Sequence, residues 1–438
     1  MHRRNVLRGV GTALLPIVSG CSTSETTDEE TVTTAEKARA FVGDMAAGKF
    51  NRAHNQLNNT LQQRFDVSLL ERLWAGLEAQ HGAYNKVTET EPMTIDDVAG
   101  VSVDVDCAVG TARFGFATDG QSIVKFDNLA KYSPPEYADQ SAFSERTVEV
   151  GPQSLPGTVS VPDDGNSVPG VVLVHGSGSV DRNATLGTNK PFQDLAWGLA
   201  SRGIAVLRYD KRTFVQDVPP ADQTLETVTV TDAVAAINRL ADVPTVDRHQ
   251  RIVVGHSLGA MATPRLLNRT DAVAGVMLAA HARPITEVAA DQVRHRHSVI
   301  DGTLSSQDRQ EIKELEQTFQ QVKNGDIPDE EVVFGVPAVW WRSLLSYDQV
   351  ATARGLSVPL WIGQGGRDYQ VLSEEDFQQW QTALSDKSSA TFSLYEQLSH
   401  LLSPGKGSSL ATEYEYHDNV SVQLVTDLAS WISTVKGQ

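Results

Sequence analysis

Hydrophobic and polar positions follow two patterns in the first third of the chain. The stretch SLLERLWAGLEAQ (68–80) has apolar residues at helical spacing, whereas VSVDVDCAV (101–109), TARFGFAT (111–118) and QSIVKFDN (121–128) alternate as strands do. Helices followed by a run of strands are typical of an α+β domain. The pattern therefore predicts a small α+β domain over residues 35–131.

The pattern changes after residues 132–145, which contain two prolines and few aliphatic side chains and predict a linker. An antiparallel hairpin is predicted over 147–162, and almost wholly apolar runs follow it: GVVLVHG, IAVLRYD, RIVVGHS, VAGVMLAAH and PLWIGQG. Strands that are apolar on both sides need helices on both faces of their sheet. Residues 146–438 are therefore predicted to form a doubly wound, mostly parallel α/β sheet, with the charged helical segment 283–355 as an inserted cap.

The first 34 residues predict an export signal followed by a flexible tether. Residues 1–21 contain a twin-arginine pattern, RRNVLR, and an apolar stretch too short to span a bilayer. They end in VSGC, which resembles a lipoprotein processing box and makes Cys21 the predicted site of lipid attachment; a cleaved signal without lipid is the alternative. Residues 22–34 are polar and lack periodicity. The sequence thus predicts an exported protein, either anchored to the membrane at the cell surface only through that lipid or secreted.

Composition and charge narrow the choice of partners. The 438 residues are 40% apolar and 21% charged, as in a globular protein, and their formal net charge is −18. Without the three arginines of residues 1–20 the charge is −21, which argues against nucleic acid as a partner. Only 12 of the 37 basic residues are lysines. This balance predicts a surface adapted to high salt, with an ordinary acidic enzyme as the alternative.

The segment RIVVGHSLGA (251–260) suggests a catalytic site, because it places Ser257 in a G-x-S-x-G pattern between an apolar strand and a helical run. This context predicts a tight strand-to-helix turn that exposes the serine hydroxyl at the carboxyl end of the sheet. A side chain at Gly255 or Gly259 would collide with the neighbouring strand or helix. Ser257 is therefore the predicted nucleophile.

A serine hydroxyl needs a base to take its proton, and a histidine oriented by a carboxylate supplies one. On this architecture the expected order is serine, acid, histidine, so the base comes late in the chain. His400, in FSLYEQLSHLL, follows the last strand-like run, where a loop at the sheet edge is expected. His417 lies in a polar stretch before the C-terminal helix and is the weaker alternative.

The acid and the oxyanion donors follow from the same sheet edge. Asp368 lies on a glycine-rich turn after the strand PLWIGQG, whereas Glu374 and Glu375 lie at a helix start, where acids complement the helix dipole. One oxyanion donor is predicted to be the backbone N–H of Leu258, and the second that of Ser177 in VVLVHGSGS. A phosphate-binding loop is the rival interpretation of those glycines, but neither G-x-G-x-x-G nor G-K-[ST] is present.

From about residue 146 to 434 the chain resembles the α/β-hydrolase superfamily. The segments HGSGSVDRN, VGHSLGA, WWRSLLSYD, GGRDYQV and LSHLL are similar to its serine-aminopeptidase-like and acyl-ester-hydrolase branch. Residues 35–131 resemble the cone-like domain that precedes some of these hydrolases. The resemblance implies these site residues: Ser257, Asp368 and His400 as the triad, and Ser177 and Leu258 as oxyanion donors. It does not fix the substrate.

These observations predict a serine hydrolase that cleaves a small-molecule acyl ester through an acyl-enzyme intermediate, without a cofactor or a metal ion. An aminopeptidase, an amidase or a thioesterase with the same triad is the alternative. A non-catalytic binding protein is a rival from another class, which the complete and ordered triad disfavours. The sequence sets no oligomeric state.

Several other residues of reactive type are given no catalytic role. His295 and His297 are two positions apart, so on a helix they face different directions and do not predict a metal site. Asp210 and Arg212 are expected to pair with each other near the sheet edge. His256, beside the nucleophile, is interpreted as structural.

Overall fold

The computed structural model describes residues 32–163, 165 and 167–435. The predicted export signal with Cys21 lies outside the described residues, and so does most of the predicted tether. The chain divides into two units, the first formed by residues up to 74 and by 81–130, the second by 75–80 and by residues from 131 onwards. Within the described part, no helix combines the length and the apolar character needed to cross a membrane.

The first unit combines helices with a four-stranded antiparallel sheet. The helices that begin in it are α1 (Thr34–Ala46), α2 (Phe50–His54), α3 (Asn59–Arg64) and α4 (Val67–His81). The strands, in their order across the sheet, are β1 (Tyr84–Ile95), β2 (Val98–Cys107), β3 (Thr111–Thr118) and β4 (Ile123–Asn128). The ring centroids of Phe41, Phe116 and Phe126 lie within 5.6 Å of one another and form the centre of the core. This unit has the predicted α+β character.

The second unit is built on an eight-stranded sheet. Strands in this unit are β5 (Phe143–Val150), β6 (Leu155–Pro162), β7 (Val168–Val174), β8 (Ala205–Tyr209), β9 (Val246–His256), β10 (Ala274–Leu278), β11 (Val332–Val333), β12 (Val336–Pro337), β13 (Leu360–Gly365) and β14 (Ala390–Tyr395). The large sheet has the order β14-β13-β10-β9-β7-β8-β6-β5, and β11 pairs with β12 separately. Strand β6 pairs antiparallel with β5 and with β8, and the other pairs of the large sheet are parallel.

Helices connect these strands. They are α5 (Pro191–Ala200), α6 (Arg212–Val215), α7 (Thr231–Leu240), α8 (Leu258–Leu267), α9 (Ile285–Ser298), α10 (Ser306–Asn324), α11 (Ala338–Leu345), α12 (Gln349–Gly355), α13 (Gln378–Ala383) and α14 (Val422–Thr434). Short helical turns lie at Pro220–Asp222, Glu226–Val230, Ser373–Phe377 and Ala411–Glu415. Residues 283–355, predicted as a cap, thus contain α9 to α12 and the β11–β12 hairpin.

Strand β7 shows that the sheet is covered on both faces. Val171 and Leu173 belong to a core with residues of α5 and α14, whereas Val172 and Val174 belong to a core with residues of α7 and α8. Successive side chains of a strand point to opposite faces, so one apolar run supplies both cores. The predicted doubly wound, mostly parallel α/β fold is confirmed.

The segment predicted as a linker, 132–145, packs within the second unit. The Tyr132 hydroxyl donates a hydrogen bond to Asp194 Oδ1 in α5 over 2.8 Å. Strand β5 already begins at Phe143. This segment is therefore an ordered connection that contacts α5 and leads to the sheet edge, although its composition is polar and includes prolines.

Candidate active site

Ser257 lies on the tight turn between β9 and α8. Its φ of 55° and ψ of −119° are unusual for a residue that carries a side chain. A Cβ added at Gly255 would lie 2.3 Å from the carbonyl oxygen of Gly259, and one added at Gly259 would lie 2.2 Å from that of Val174. Because real atoms do not approach so closely, the turn requires glycine on both sides of Ser257. The Ser257 N–H donates to the Leu278 carbonyl (2.9 Å), which holds the turn against β10.

The loop after β7 lies directly against this turn. A Cβ placed on Gly176 would be 3.1 Å from the Ser257 Cβ and 3.6 Å from its Oγ. Ser177 follows Gly176 and is exposed. Leu258 is the first residue of α8, so its N–H is one of those that have no acceptor within the helix. The fold thus places both predicted oxyanion donors, Ser177 and Leu258, on backbone next to Ser257.

Asp368 and His400 form a buried pair near the end of β13. His400 Nδ1 donates to Asp368 Oδ2 over 2.8 Å, and the exposed fractions of the two side chains are 7% and 0%. Asp368 Oδ1 accepts hydrogen bonds from the N–H groups of Gln370 (2.8 Å) and Val371 (3.0 Å). Since the carboxylate accepts the proton on Nδ1, Nε2 of His400 is left as the basic nitrogen. This tautomer suits proton transfer from a serine such as Ser257.

Sheet order explains why residues so far apart in sequence share one edge. Strands β7, β9, β10 and β13 are consecutive, parallel neighbours. The carboxyl ends of parallel strands meet at one edge. The loop with Ser177 follows β7, Ser257 follows β9, and Asp368 follows β13, so all three come to the same edge.

Two further residues support the site: Gln364, which the sequence analysis missed, and His256, which it interpreted as structural. Gln364, in β13, donates from Nε2 to Asp368 Oδ2 (3.2 Å) and to the Val371 carbonyl (2.9 Å). The signal for it is a polar residue inside the apolar run PLWIGQG. His256 donates from Nε2 to the backbone carbonyl of His400 over 2.8 Å. Burial, helped by His400, lowers the pKa of His256 to about 3, so this imidazole is neutral.

The weaker alternatives for base and acid lie in other surroundings. His417 has its Nδ1 at the Thr188 carbonyl (3.2 Å) and its Nε2 at the Ser133 backbone (3.1 Å). Glu374 and Glu375 are exposed in the first turn of the helical segment that starts at Ser373. The sequence predicted a hydrogen bond between a histidine and a carboxylate. In the structure, Asp368 and His400 form that bond.

The expected pair between Asp210 and Arg212 is wrong, because each has another partner. Asp210 pairs with Arg182 of the loop after β7 (2.8 Å), and Arg212 pairs with Asp232 of α7 (2.5 Å). Arg212 is the first residue of α6, where the extended backbone turns into a helix, so its side chain reaches α7, whereas Asp210 and the buried Lys211 contact the loop after β7. The segment 210–212 is thereby fastened to two different elements.

Two histidines of the segment 283–355 also have structural partners. His295 donates from Nε2 to the Ser409 carbonyl (2.6 Å), and its ring stacks on Tyr369 with centroids 4.6 Å apart. His297 pairs instead with Asp308 of α10 (3.0 Å). Their different surroundings agree with the expectation that the two imidazoles face different directions.

A cavity of about 870 Å³ is lined mostly by residues of the segment 283–355. Apolar side chains such as Phe319 and Leu344 line it together with charged ones such as Arg283 and Glu316. Ser257 and His400 are not among its lining residues. Most of its lining residues lie in 283–355, the segment predicted as a cap.

The fold is that of an α/β hydrolase. A model of the alpha/beta hydrolase family matches residues 171–405, which is more than half of the chain. The chain therefore belongs to the α/β-hydrolase family, and the predicted superfamily is confirmed.

Known relatives extend this comparison. Over 402 residues the chain is 33% identical to Esterase EstD of Thermotoga maritima, an alignment that covers 91% of this chain and 95% of the esterase. Among solved structures, an acylaminoacyl peptidase of Pyrococcus horikoshii is 13% identical with a TM-score of 0.46; the match covers 82% of this chain and 52% of the peptidase. Esterase Est22 is 14% identical with a TM-score of 0.44, covering 68% of this chain and 83% of the esterase. This chain thus spans about half the length of the peptidase.

Proposed function

We propose that the protein is an exported serine hydrolase that cleaves carboxylic esters through the triad Ser257, His400 and Asp368. The observation that carries the proposal is the buried hydrogen bond from His400 to Asp368, at the sheet edge where Ser257 lies on its strained turn. The identity to an esterase along nearly the whole of both chains favours an ester over other acyl substrates.

In the proposed reaction, Ser257 Oγ attacks the acyl carbon while His400 Nε2 takes the hydroxyl proton. The carbonyl oxygen becomes an oxyanion that the N–H groups of Ser177 and Leu258 stabilise. When the intermediate collapses, the bond to the alkoxy group breaks and that oxygen receives the proton from His400. Water then attacks the acyl-serine with His400 as base, which releases the acid and restores Ser257.

A panel of substrates tests this proposal. Purified protein is assayed with esters of short to long acyl chains, with matched thioesters and with aminoacyl amides, at low and at high salt. We expect esters to turn over fastest. Ser257→Ala should abolish both turnover and labelling by a fluorophosphonate, whereas Ser430→Ala, at an exposed serine of α14, should change neither.

Each contrary result has a distinct meaning. Faster turnover of amides or thioesters would replace the ester by that substrate class while leaving the triad in place. Folded protein that neither turns over any substrate nor reacts with the fluorophosphonate would contradict the serine hydrolase and favour a binding protein.

We further propose that the chain is exported by its twin-arginine signal and anchored by lipid on Cys21. The support is the sequence RRNVLR and the VSGC box. Replacing Arg3 and Arg4 by lysine should keep the protein inside the cell. Cys21→Ser should release it from the membrane fraction, and unchanged membrane association of that variant would remove the lipid anchor from the proposal.

A further inference from the structure

Lys211 is a buried lysine that touches the loop beside the nucleophile. Its side chain is in the segment between β8 and α6, and the residue is 4% exposed. The Nζ group donates a hydrogen bond to the carbonyl oxygen of Gly176 over 2.7 Å. Gly176 is the residue that packs against the Ser257 side chain. Lys211 is therefore one peptide unit away from the predicted oxyanion donor.

The peptide unit between Gly176 and Ser177 links the Lys211 contact to the Ser177 N–H. The described chain contains no cis peptide bonds, so the plane that joins Gly176 to Ser177 is trans. In a trans peptide the C=O and the following N–H are coplanar and point in opposite directions. A cation that holds the Gly176 oxygen therefore also fixes the direction of the Ser177 N–H, which points away from Lys211.

Other contacts hold the same loop to the same segment. The Lys211 N–H donates to the Val180 carbonyl over 3.2 Å, and the Ser179 hydroxyl donates to the Thr213 carbonyl over 2.5 Å. Arg182 forms a two-point ion pair with Asp210. These bonds anchor residues 179–182, and the Lys211 ammonium adds a contact to the Gly176–Ser177 peptide at the start of the loop.

We propose that Lys211 is a positioning residue of the oxyanion hole, which holds the Gly176 carbonyl so that the Ser177 N–H is oriented for the developing negative charge. This inference rests on the proposed serine hydrolase function. A donor that is oriented before the reaction stabilises the transition state more than the ground state. Loss of Lys211 should therefore change kcat rather than KM.

Lys211 should lose its positive charge within a pH range that an activity assay can cover. Burial lowers the pKa of Lys211 to about 8, and the nearby Asp232 carboxylate acts in the opposite direction. The titratable and charged groups around it are His175 at the end of β7, the Arg182–Asp210 pair and the Arg212–Asp232 pair. His175 is neutral because burial, and next Lys211 itself, lower its pKa to about 3, and both carboxylates already have arginine partners.

Loss of this proton has opposite effects on activity and on stability. Above pH about 8 the neutral amine is a weaker donor to the Gly176 carbonyl, so kcat should fall. Between that pH and the ordinary lysine pKa of 10.5 the unfolded chain binds a proton that the folded chain has released, so the Lys211 contribution to the free energy of unfolding rises with pH. A purely structural role would therefore not produce an alkaline decline of kcat.

The test uses two variants of Lys211 and a matched lysine elsewhere. We expect Lys211→Met to lower kcat about 10- to 100-fold with KM changed less than about threefold, since removing an oxyanion donor outright costs about 10² to 10³ in kcat. Lys211→Arg retains a cation at every pH and should move the decline of kcat to higher pH. Lys387→Met removes another ammonium that donates to a backbone carbonyl, that of Leu356, and should leave kcat and its pH profile unchanged.

Binding of an alkyl trifluoromethyl ketone, which forms a tetrahedral adduct with a serine, gives a second measurement. Lys211→Met should weaken this inhibitor by the same factor as it lowers kcat. A Lys211→Met protein with normal kcat, normal inhibitor binding and the wild-type alkaline limb would overturn the role of Lys211. If Lys211→Met does not fold, an unchanged pH profile in Lys211→Arg would overturn it. An inactive wild-type protein would instead contradict the serine hydrolase.

Discussion

His256 donates a hydrogen bond from its ring to the backbone carbonyl of His400, so the residue before Ser257 holds the loop that carries His400. The two imidazole centroids lie 4.7 Å apart. Position 256 ends β9, and its side chain is 9% exposed. We therefore expect this hydrogen bond to help position His400 relative to Ser257.

Removing this connection should lower turnover. His256→Ala is expected to reduce kcat by about tenfold or more and the free energy of unfolding by about 1–3 kcal/mol, because the buried His400 carbonyl loses its donor. His256→Gln, whose amide can donate to the same carbonyl, should recover part of kcat. The exposed His249 of the same strand is the matched control, and wild-type kcat in His256→Ala would show that the connection has no effect on catalysis.

Two buried histidines should make the fold sensitive to acid. Burial lowers the pKa values of His175 and His256 to about 3, below the usual 6.5. The unfolded chain therefore binds protons that the folded chain does not, so the stability present above pH 6.5 is lost progressively as the pH falls towards 3. At pH 4 the loss should be roughly 3 kcal/mol per histidine.

Denaturant unfolding at several pH values measures this effect. His256→Gln should show a smaller loss between pH 6.5 and pH 4 than the wild type, and His249→Gln should show the same loss as the wild type. Equal slopes for all three proteins would contradict the assignment of His256 as an acid-sensitive group.

Asp368 should be the acid that serves His400. Asp368→Asn is expected to keep the fold and to lower ester turnover by about 10⁴-fold, the loss found for the equivalent change in a serine protease. Glu374→Gln and Glu375→Gln should cost little, since an acid at a helix start contributes only about 0.3–1 kcal/mol to stability. Near-normal turnover by folded Asp368→Asn would move the acid to another carboxylate.

The same assay examines whether the triad acts as one unit. Ser257→Ala and His400→Ala should each be almost inactive, and the double variant should lose little more, because the two groups act in a single proton transfer. Additive losses in the double variant would mean that His400 acts independently of Ser257.

Gly259 should not tolerate a methyl group. Gly259→Ala would place a Cβ 2.2 Å from the Val174 carbonyl oxygen and 2.6 Å from that of His175, so we expect a loss of at least about 3 kcal/mol of stability. Gly43→Ala is the matched control, because its Cβ would meet nothing within 4 Å on α1 and should be neutral or stabilising by about 0.5–1 kcal/mol. Thermal melts of both variants decide, and a stable Gly259→Ala would contradict the close packing of the turn.

Salt should stabilise the protein. With a formal charge of −18 over the chain, screening weakens repulsion among carboxylates, so the melting temperature is expected to rise by several degrees from dilute to molar sodium chloride. Sucrose at matched osmolarity is the control, because it does not screen charge. A melting temperature independent of salt would favour the ordinary acidic enzyme.

Local patterns in the sequence account for the elements of this fold. Apolar runs without alternation predicted β7 to β10 and β13, because strands covered on both faces bury every side chain. The glycines at 255 and 259 predicted the tight turn at Ser257, since only a residue without Cβ allows backbone to approach so closely. Such features depend on a few consecutive residues, and the sequence contains them in full.

Partner choice was decided only by the tertiary structure. Asp210 and Arg212 lie only two positions apart in the sequence but belong to two different ion pairs. This division has no local pattern, because the partner of a polar side chain depends on which strands and loops become neighbours. For the same reason, the sequence contains no signal for the contact between Lys211 and the Gly176 carbonyl. These residues follow β8 and β7, and only the parallel pairing of the two strands brings the lysine to the loop beside Ser257.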